Sequence, residues 1–299
     1  MKKMILLATM AAVMTACTNE AGEYLTTEIP QPTEVTLTFS PYEMEAMIRA
    51  AVPVASPTGA TRATTRAQAV SDFANKLDLW LYEGGTLLQQ IQQEADQPGF
   101  GTLALTLDKR LTYTLYAVAH KSSGGHATLQ DGIIAWPSDK ISQTFFYTRT
   151  FSPADVTTLS CQMDRIVALF RLETTDPLPA DATRATIDVP QSFTAWSTDA
   201  LAATAPKDRT VTFSTLAPAQ DGTVVLSAYL LSTADAPTPH TVTVTFQDAA
   251  GQPVQQRTFP DVPLRNGYRT TYRGALFTDA PFTSTFTVDA WQDYDVTEF

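Results

Sequence analysis

The 299-residue chain reads as all-β, built from short strands packed as sandwiches. Three observations carry that expectation. Apolar and hydroxyl-bearing residues alternate with period two along much of the chain, the mark of antiparallel strands with one face on a core and one in water. Proline and glycine fall mostly between those segments, where turns need them. Helical periodicity is scarce: Tyr42–Ala51 suits one or two turns, and Val70–Asn75 a short turn ahead of a strand.

Taken in order, residues 1–16 read as a lipoprotein signal peptide. Lys2 and Lys3 give a positive start, Met4–Met14 is apolar without an acidic residue, and Thr15-Ala16 places small residues before Cys17. A stretch this short is a cleaved export signal rather than a membrane span. Ending on cysteine makes it a bacterial lipobox, with Met14 a permissible residue three places earlier, so lipidation is expected on Cys17. Residues 17–33 form a polar tether. The strand Val35-Thr36-Leu37-Thr38-Phe39 follows, with Val35, Leu37 and Phe39 on one face.

Residues 50–69 are small, with two prolines and a glycine, and have little to bury, which predicts a flexible loop. Arg62 and Arg66 lie in it, each followed by alanine, and suit an Arg-specific protease. Leu77, Leu79 and Leu81 then alternate with Asp78, Trp80 and Tyr82, and Leu103, Leu105 and Leu107 with Thr102, Ala104 and Thr106. Residues 121–160 are polar and irregular, after which Met163–Leu172 restarts as an apolar strand. We therefore expect an N-terminal sandwich over 34–160 and a C-terminal one over 161–299. Val242, Val244 and Phe246 alternate with threonines in the second half, as Phe286 and Val288 do near the end. No internal repeat is legible at the residue level.

Charge narrows the partners. Losing Lys2 and Lys3 with the signal leaves 18 basic against 31 acidic residues, a formal charge of −13. Nucleic acid and anionic lipid surfaces, which reward clustered lysine and arginine, are poor fits. With one of the two cysteines lipidated, no internal disulfide can form. Cys161 precedes the apolar run Ile166–Phe170 and reads as a small buried hydrophobe.

A search for chemistry finds little. His120, His126 and His240 have no metal-ligand spacing, and His120, ending an apolar strand, and His126, in a Ser/Gly-rich loop, read as loop residues. No nucleophile elbow, P-loop, H-E-x-x-H or dinucleotide fingerprint occurs. Asp293 and Asp295 read as surface acids rather than a calcium site. Trp80, Trp136, Trp196 and Trp291 are dispersed in the sequence and suit sandwich packing better than a sugar platform. No catalytic residue, cofactor or metal is expected.

The ordered set of motifs resembles the fimbrillin superfamily of Bacteroidota, the lipoprotein-derived subunits of type V pili. The elements are Cys17, the strand Val35–Phe39, Arg66-Ala67, Lys76–Gly85, Tyr113–His120, Met163–Phe170, Val262–Thr270 with Gly274, and Val288-Asp289-Ala290-Trp291. That resemblance implies two tandem transthyretin-like antiparallel β-sandwich domains. It also implies cleavage after an arginine of the 50–69 loop, Arg66 rather than Arg62, because Ser71 onward already approaches the next strand. Strand 35–39 would then leave, and a strand of the next subunit would refill its place. The C-terminal strand, with Phe286, Val288 and Ala290, is the candidate donor.

The expected function is that of a pilus subunit for adhesion, at the outer membrane surface and in the fimbrium. Its partners would be other pilin subunits, an Arg-specific surface protease, the outer membrane through the Cys17 lipid, and a host or bacterial receptor. Two alternatives stand beside it: an uncleaved anchor or tip subunit of the same pilus, and a surface glycan-binding lipoprotein.

Overall fold

The computed structural model describes residues 30–41, 69–232, 238–278 and 285–290, with backbone only at residues 139, 286 and 288–290. Among them there is no α-helix. The first sandwich uses β1 (Pro32–Pro41), β2 (Lys76–Glu83), β3 (Thr86–Glu94), β4 (Thr102–Asp108) and β5 (Tyr113–His120). A small hairpin, β6 (Thr128–Gln130) and β7 (Ile133–Ala135), comes next, and β8 (Thr144–Phe151) and β9 (Thr158–Arg165) complete that sandwich. The second sandwich contains β10 (Val167–Thr174), β11 (Arg184–Ser197), β12 (Ala202–Phe213), β13 (Val225–Leu231), β14 (Thr238–Gln247), β15 (Pro253–Leu264), β16 (Tyr268–Gly274) and β17 (Thr285–Ala290).

The strand order of the first sandwich is β3-β2-β5-β8-β9-β1-β4, and it folds into two layers at β8–β9, where only Phe145↔Arg165 and Phe146↔Asp164 pair. In the second, β12-β11-β14-β15 forms one layer and β13-β10-β16-β17 the other, and the single pair Phe193↔Leu231 joins them. These are one topology used twice. Strand β1 lies antiparallel to β4 and parallel to β9, as β10 lies antiparallel to β13 and parallel to β16. The repeat that the residues hide is plain in the backbone. It also places two parallel pairs in a fold expected to be antiparallel.

Three apolar clusters hold the molecule together. Each sandwich has its own core: Val35, Leu37, Leu79, Leu115, Leu159 and Met163 belong to the first, and Phe170, Ile187, Val244, Phe246 and Leu264 to the second. The third cluster joins them. It packs Trp80, Val118 and Phe146 of the first sandwich against Leu169, Trp196, Tyr229 and Leu231 of the second, with Ile134 and Trp136 of the hairpin. Hence β2 has Leu77, Leu79 and Leu81 on one core and Trp80 on another. The expectation that each strand keeps one face in water fails here, because period two reports which residues share a face but not what covers it.

The segment 121–160, read as irregular, contains β6, β7, β8 and the start of β9. The aromatic and threonine-rich run Thr144-Phe145-Phe146-Tyr147-Thr148 carries strong strand propensity that the polar surroundings mask. The apolar run expected as one strand, Met163–Leu172, is two strands parted at Ile166. Residue 160 lies within β9, and Pro32 and Thr33 of the expected tether pair with Asp108 and Leu107. The short turn before β2 is present as a 3-10 turn, Val70–Asp72.

Candidate assembly site

Strand β1 is the centre of this site. It lies between two strands rather than on an edge, pairing Thr36–Pro41 with Thr158–Met163 of β9 and Pro32–Thr38 with Asp108–Thr102 of β4. The Thr36 N–H donates to the Thr157 carbonyl (2.9 Å) on one side, and the Phe39 N–H donates to the Gly101 carbonyl (2.9 Å) on the other. Val35, Leu37 and Phe39 point into the first core and are at most 3% exposed. The structure thus places all three residues of the expected displaceable strand on one buried face. Gly101, φ +82°, is packed so tightly that an added Cβ would lie 2.1 Å from Val70 Cγ1, which fixes glycine there.

Strand β17 carries the other expected residues. Its backbone pairs antiparallel with β16, setting Phe286 opposite Tyr272, Val288 opposite Thr270 and Ala290 opposite Tyr268. The chain is fixed just ahead of it. The carboxylate of Asp176, 6% exposed, accepts the backbone N–H groups of Leu276 (2.7 Å), Phe277 (2.6 Å) and Thr278 (2.9 Å). The structure therefore keeps the strand expected to be displaced and the one expected to donate in separate sandwiches, each paired within its own sheet. Cys17, Arg62, Arg66, Trp291, Asp293 and Asp295 lie outside the described residues, as does Tyr42–Ala51.

Cys161 stands beside β1, in register with Phe39, and is fully buried. Burial pushes its thiol up to about 12, so it is held as the unreactive acid form.

Sequence reasoning missed one polar cluster. Asp78, fully buried, receives the Ala127 N–H (2.9 Å) and Gln92 Nε2 (3.1 Å), with His126 Nδ1 at 2.8 Å and His120 Nε2 at 3.1 Å. His126 Nε2 also reaches Glu94 Oε1 (3.3 Å), which pairs with Lys76 Nζ (2.7 Å). The two histidines are not simple loop residues. They satisfy a buried carboxylate that would otherwise be costly. Asp78 and His120 are at most 1% exposed, so the carboxylate at the centre of the cluster is shut off from solvent. The only sequence signal was an aspartate inside an apolar strand. Among the described residues no group of three or more His, Cys, Asp or Glu side chains is arranged to hold a metal ion.

Trp80, Trp136 and Trp196 are at most 4% exposed and share the third cluster. The fold gathers residues that are scattered in sequence, and buries them.

A family model described as a family of unknown function, DUF6562, matches residues 129–298. No curated protein matches the chain in sequence. Solved structures share the fold at low identity. Bacteroides thetaiotaomicron proteins described as candidate polysaccharide-binding proteins align at TM-score 0.55 and 12% identity, over 86% of this chain and 96% of theirs. The fimbrial anchor protein Mfa2 of Porphyromonas gingivalis aligns at 0.50 and 12%, over 87% and 98%. A candidate adhesin of Bacteroides ovatus aligns at 0.51 and 12%, over 85% and 96%.

Proposed function

Because the chain belongs to DUF6562, a family whose function is unknown, its role rests on its own geometry, and we propose that it is a surface pilus subunit assembled by strand exchange. The observation that carries this reading is the position of β1: an apolar strand with partners on both edges, placed ahead of the small-residue, arginine-bearing stretch 50–69. Cleavage after Arg66, or Arg62, would free it. Burying Val35, Leu37 and Phe39 stabilises the sandwich by roughly 1.5–3 kcal/mol each, or about 5–9 kcal/mol together. That is comparable to the whole stability of an ordinary domain, about 5–15 kcal/mol. A subunit without β1 would thus be driven to take up a replacement strand, through main-chain hydrogen bonds and apolar pockets. A head-to-tail contact of this kind does not close and yields a filament. In this reading the donor is β17 with the residues beyond it, and Cys17 carries the lipid that delivers the precursor to the outer membrane.

The fimbrial anchor protein among the structural neighbours supports a pilus role and keeps the uncleaved anchor reading in view. The polysaccharide-binding description of another neighbour favours the glycan reading, but Trp80, Trp136 and Trp196 are not available as an exposed platform. The test is the N-terminal sequence and mass of the protein taken from the cell surface. A start at Ala67 or Ala63 with SDS-resistant ladders is the expected result. An intact acylated Cys17 without ladders would end the strand-exchange reading.

A further inference from the structure

The doubled topology exposes a difference between the two sandwiches. In the second, β16 has β10 on one edge and β17 on the other. In the first, the corresponding strand β9 has β1 on one edge, and among the described residues its other edge is filled only at its end. Parity shows which groups are left. Since the Thr36 N–H donates to Thr157, alternation in a parallel pair sends the odd-numbered backbone groups of β9 toward β1. The even-numbered groups face away. There Asp164 pairs with Phe146 of β8, and the Ile166 N–H donates to the Thr144 carbonyl (3.1 Å). For Thr158, Ser160 and Gln162 no described residue supplies a partner on that edge, and all three residues are exposed.

This open edge has none of the usual protections. The run Thr158–Met163 contains no proline, lysine or bulge. The strand that follows does not turn back along it, because β9 passes to β10 through Ile166 alone. The second sandwich displays what fits the corresponding place, an antiparallel strand of six residues whose Thr285 and Thr287 are exposed. The last fixed point before that strand is the Asp176 clamp at Thr278, and 21 residues follow to Phe299. Six of them, 279–284, link the clamp to the strand, and fully extended they span about 20 Å at about 3.3 Å per residue, enough to carry strand 285–290 off its own sheet toward a neighbouring molecule.

We propose that the outer edge of β9, at Thr158, Ser160 and Gln162, accepts the C-terminal strand 285–290 of a second copy of this chain. The strand adds antiparallel to β9, on the side opposite β1, and its threonines meet Thr158 and Ser160 as cross-strand hydroxyl pairs. The contact rests on the pilus reading for its biological setting but not on removal of β1. It is open to a subunit that keeps its first strand, and in such a subunit it takes the strand that would otherwise refill the place of β1, since one strand fills only one of the two. Being heterologous, it propagates from the first sandwich of one copy to the second sandwich of the next.

The test places a benzophenone maleimide on Ser160→Cys in a full-length Cys17→Ser chain, mixed with an equal amount of isotopically heavy Cys17→Ser chain. After irradiation the adducts are mapped by mass spectrometry. Light–heavy adducts within residues 285–299 are the expected result, reduced at least fivefold by Gln162→Pro, which removes an N–H on the open edge. Where that variant misfolds, an excess of unlabelled peptide of residues 285–299 serves instead and must compete those adducts down at least fivefold. Adducts within residues 42–68 of the same chain, or no adducts to residues 285–299, would overturn the proposal. Surface ladders without the 160-to-285–299 link would sink this contact and leave the pilus reading standing. The link without ladders would do the reverse.

Discussion

At the residue scale, Asp78 shows how a polar side chain is retained in an apolar strand. Four donors converge on it from β3, β5 and the 126–127 loop, so the carboxylate is buried but not alone. Asp78→Ala should strand those donors and cost about 3–5 kcal/mol, as removing one partner of a buried pair does. Urea unfolding of the two proteins measures it. Glu94, at the rim, is more exposed. The hydrogen bond from Lys76 is the largest cause holding its carboxyl below the ordinary value, with His126 adding to it. A depressed folded value stabilises above the unfolded carboxylate range and fades as pH falls through the folded one. Glu94→Gln should therefore flatten part of the loss of urea midpoint on acidification. Cys161 offers a readout of assembly. Its thiol, pushed up to about 12 by burial, should resist a thiol reagent at pH 8 in a Cys17→Ser chain. It should react once β1, which holds Phe39 alongside it, is removed.

At the element scale, β1 and β17 are two strands with opposite prospects. Strand β1 lies between two partners and puts three apolar side chains into the core, whereas β17 pairs with one strand at the end of its layer. Leu37→Asp should cost the precursor about 4 kcal/mol or more, since it loses apolar burial and buries a carboxylate without a partner. The same change should not affect a subunit cleaved after Arg66, and thermal unfolding of the two forms separates these cases. On the donor side, Phe286→Asp or Val288→Asp should weaken assembly while leaving the monomer folded. Unchanged ladders from those variants would remove β17 from the donor role.

At the scale of the whole molecule, the third cluster decides behaviour. Trp80, Phe146, Trp196, Tyr229 and their neighbours give the two sandwiches a shared core, and Arg209 of β12 reaches across to the Ile141 carbonyl (2.9 Å). Pairing of β7 with β11 adds a hairpin from one side to a sheet of the other. Sandwiches joined in this way should unfold in a single calorimetric transition. Trp196→Ala, costing about 3–5 kcal/mol as large aromatic truncations do, should split it into two. A pilus built from such subunits would place its compliance at the contacts between copies rather than within each one.

The sequence by itself determined that the chain is all-β. It also determined which residues share a face in β1, β2 and β4, because a strand's period of two is written directly into residue order. Leu37 and Phe39 were legible as core, and Cys161 as a buried thiol, from their immediate neighbours. What covers a strand's second face was decided only by tertiary structure, since burial depends on elements far away in the chain. Thus Trp80 and Val118 became interdomain core, and Trp136 and Trp196, sixty positions apart, came together. His120 and His126 acquired a purpose only when the fold brought them to Asp78. The doubled topology, and with it the edge of β9 that no described residue pairs, was likewise absent from the residues. Backbone pairing can be repeated by sequences that share a pattern of alternation and nothing more, and a hydrogen-bonded edge leaves no trace in side-chain identity.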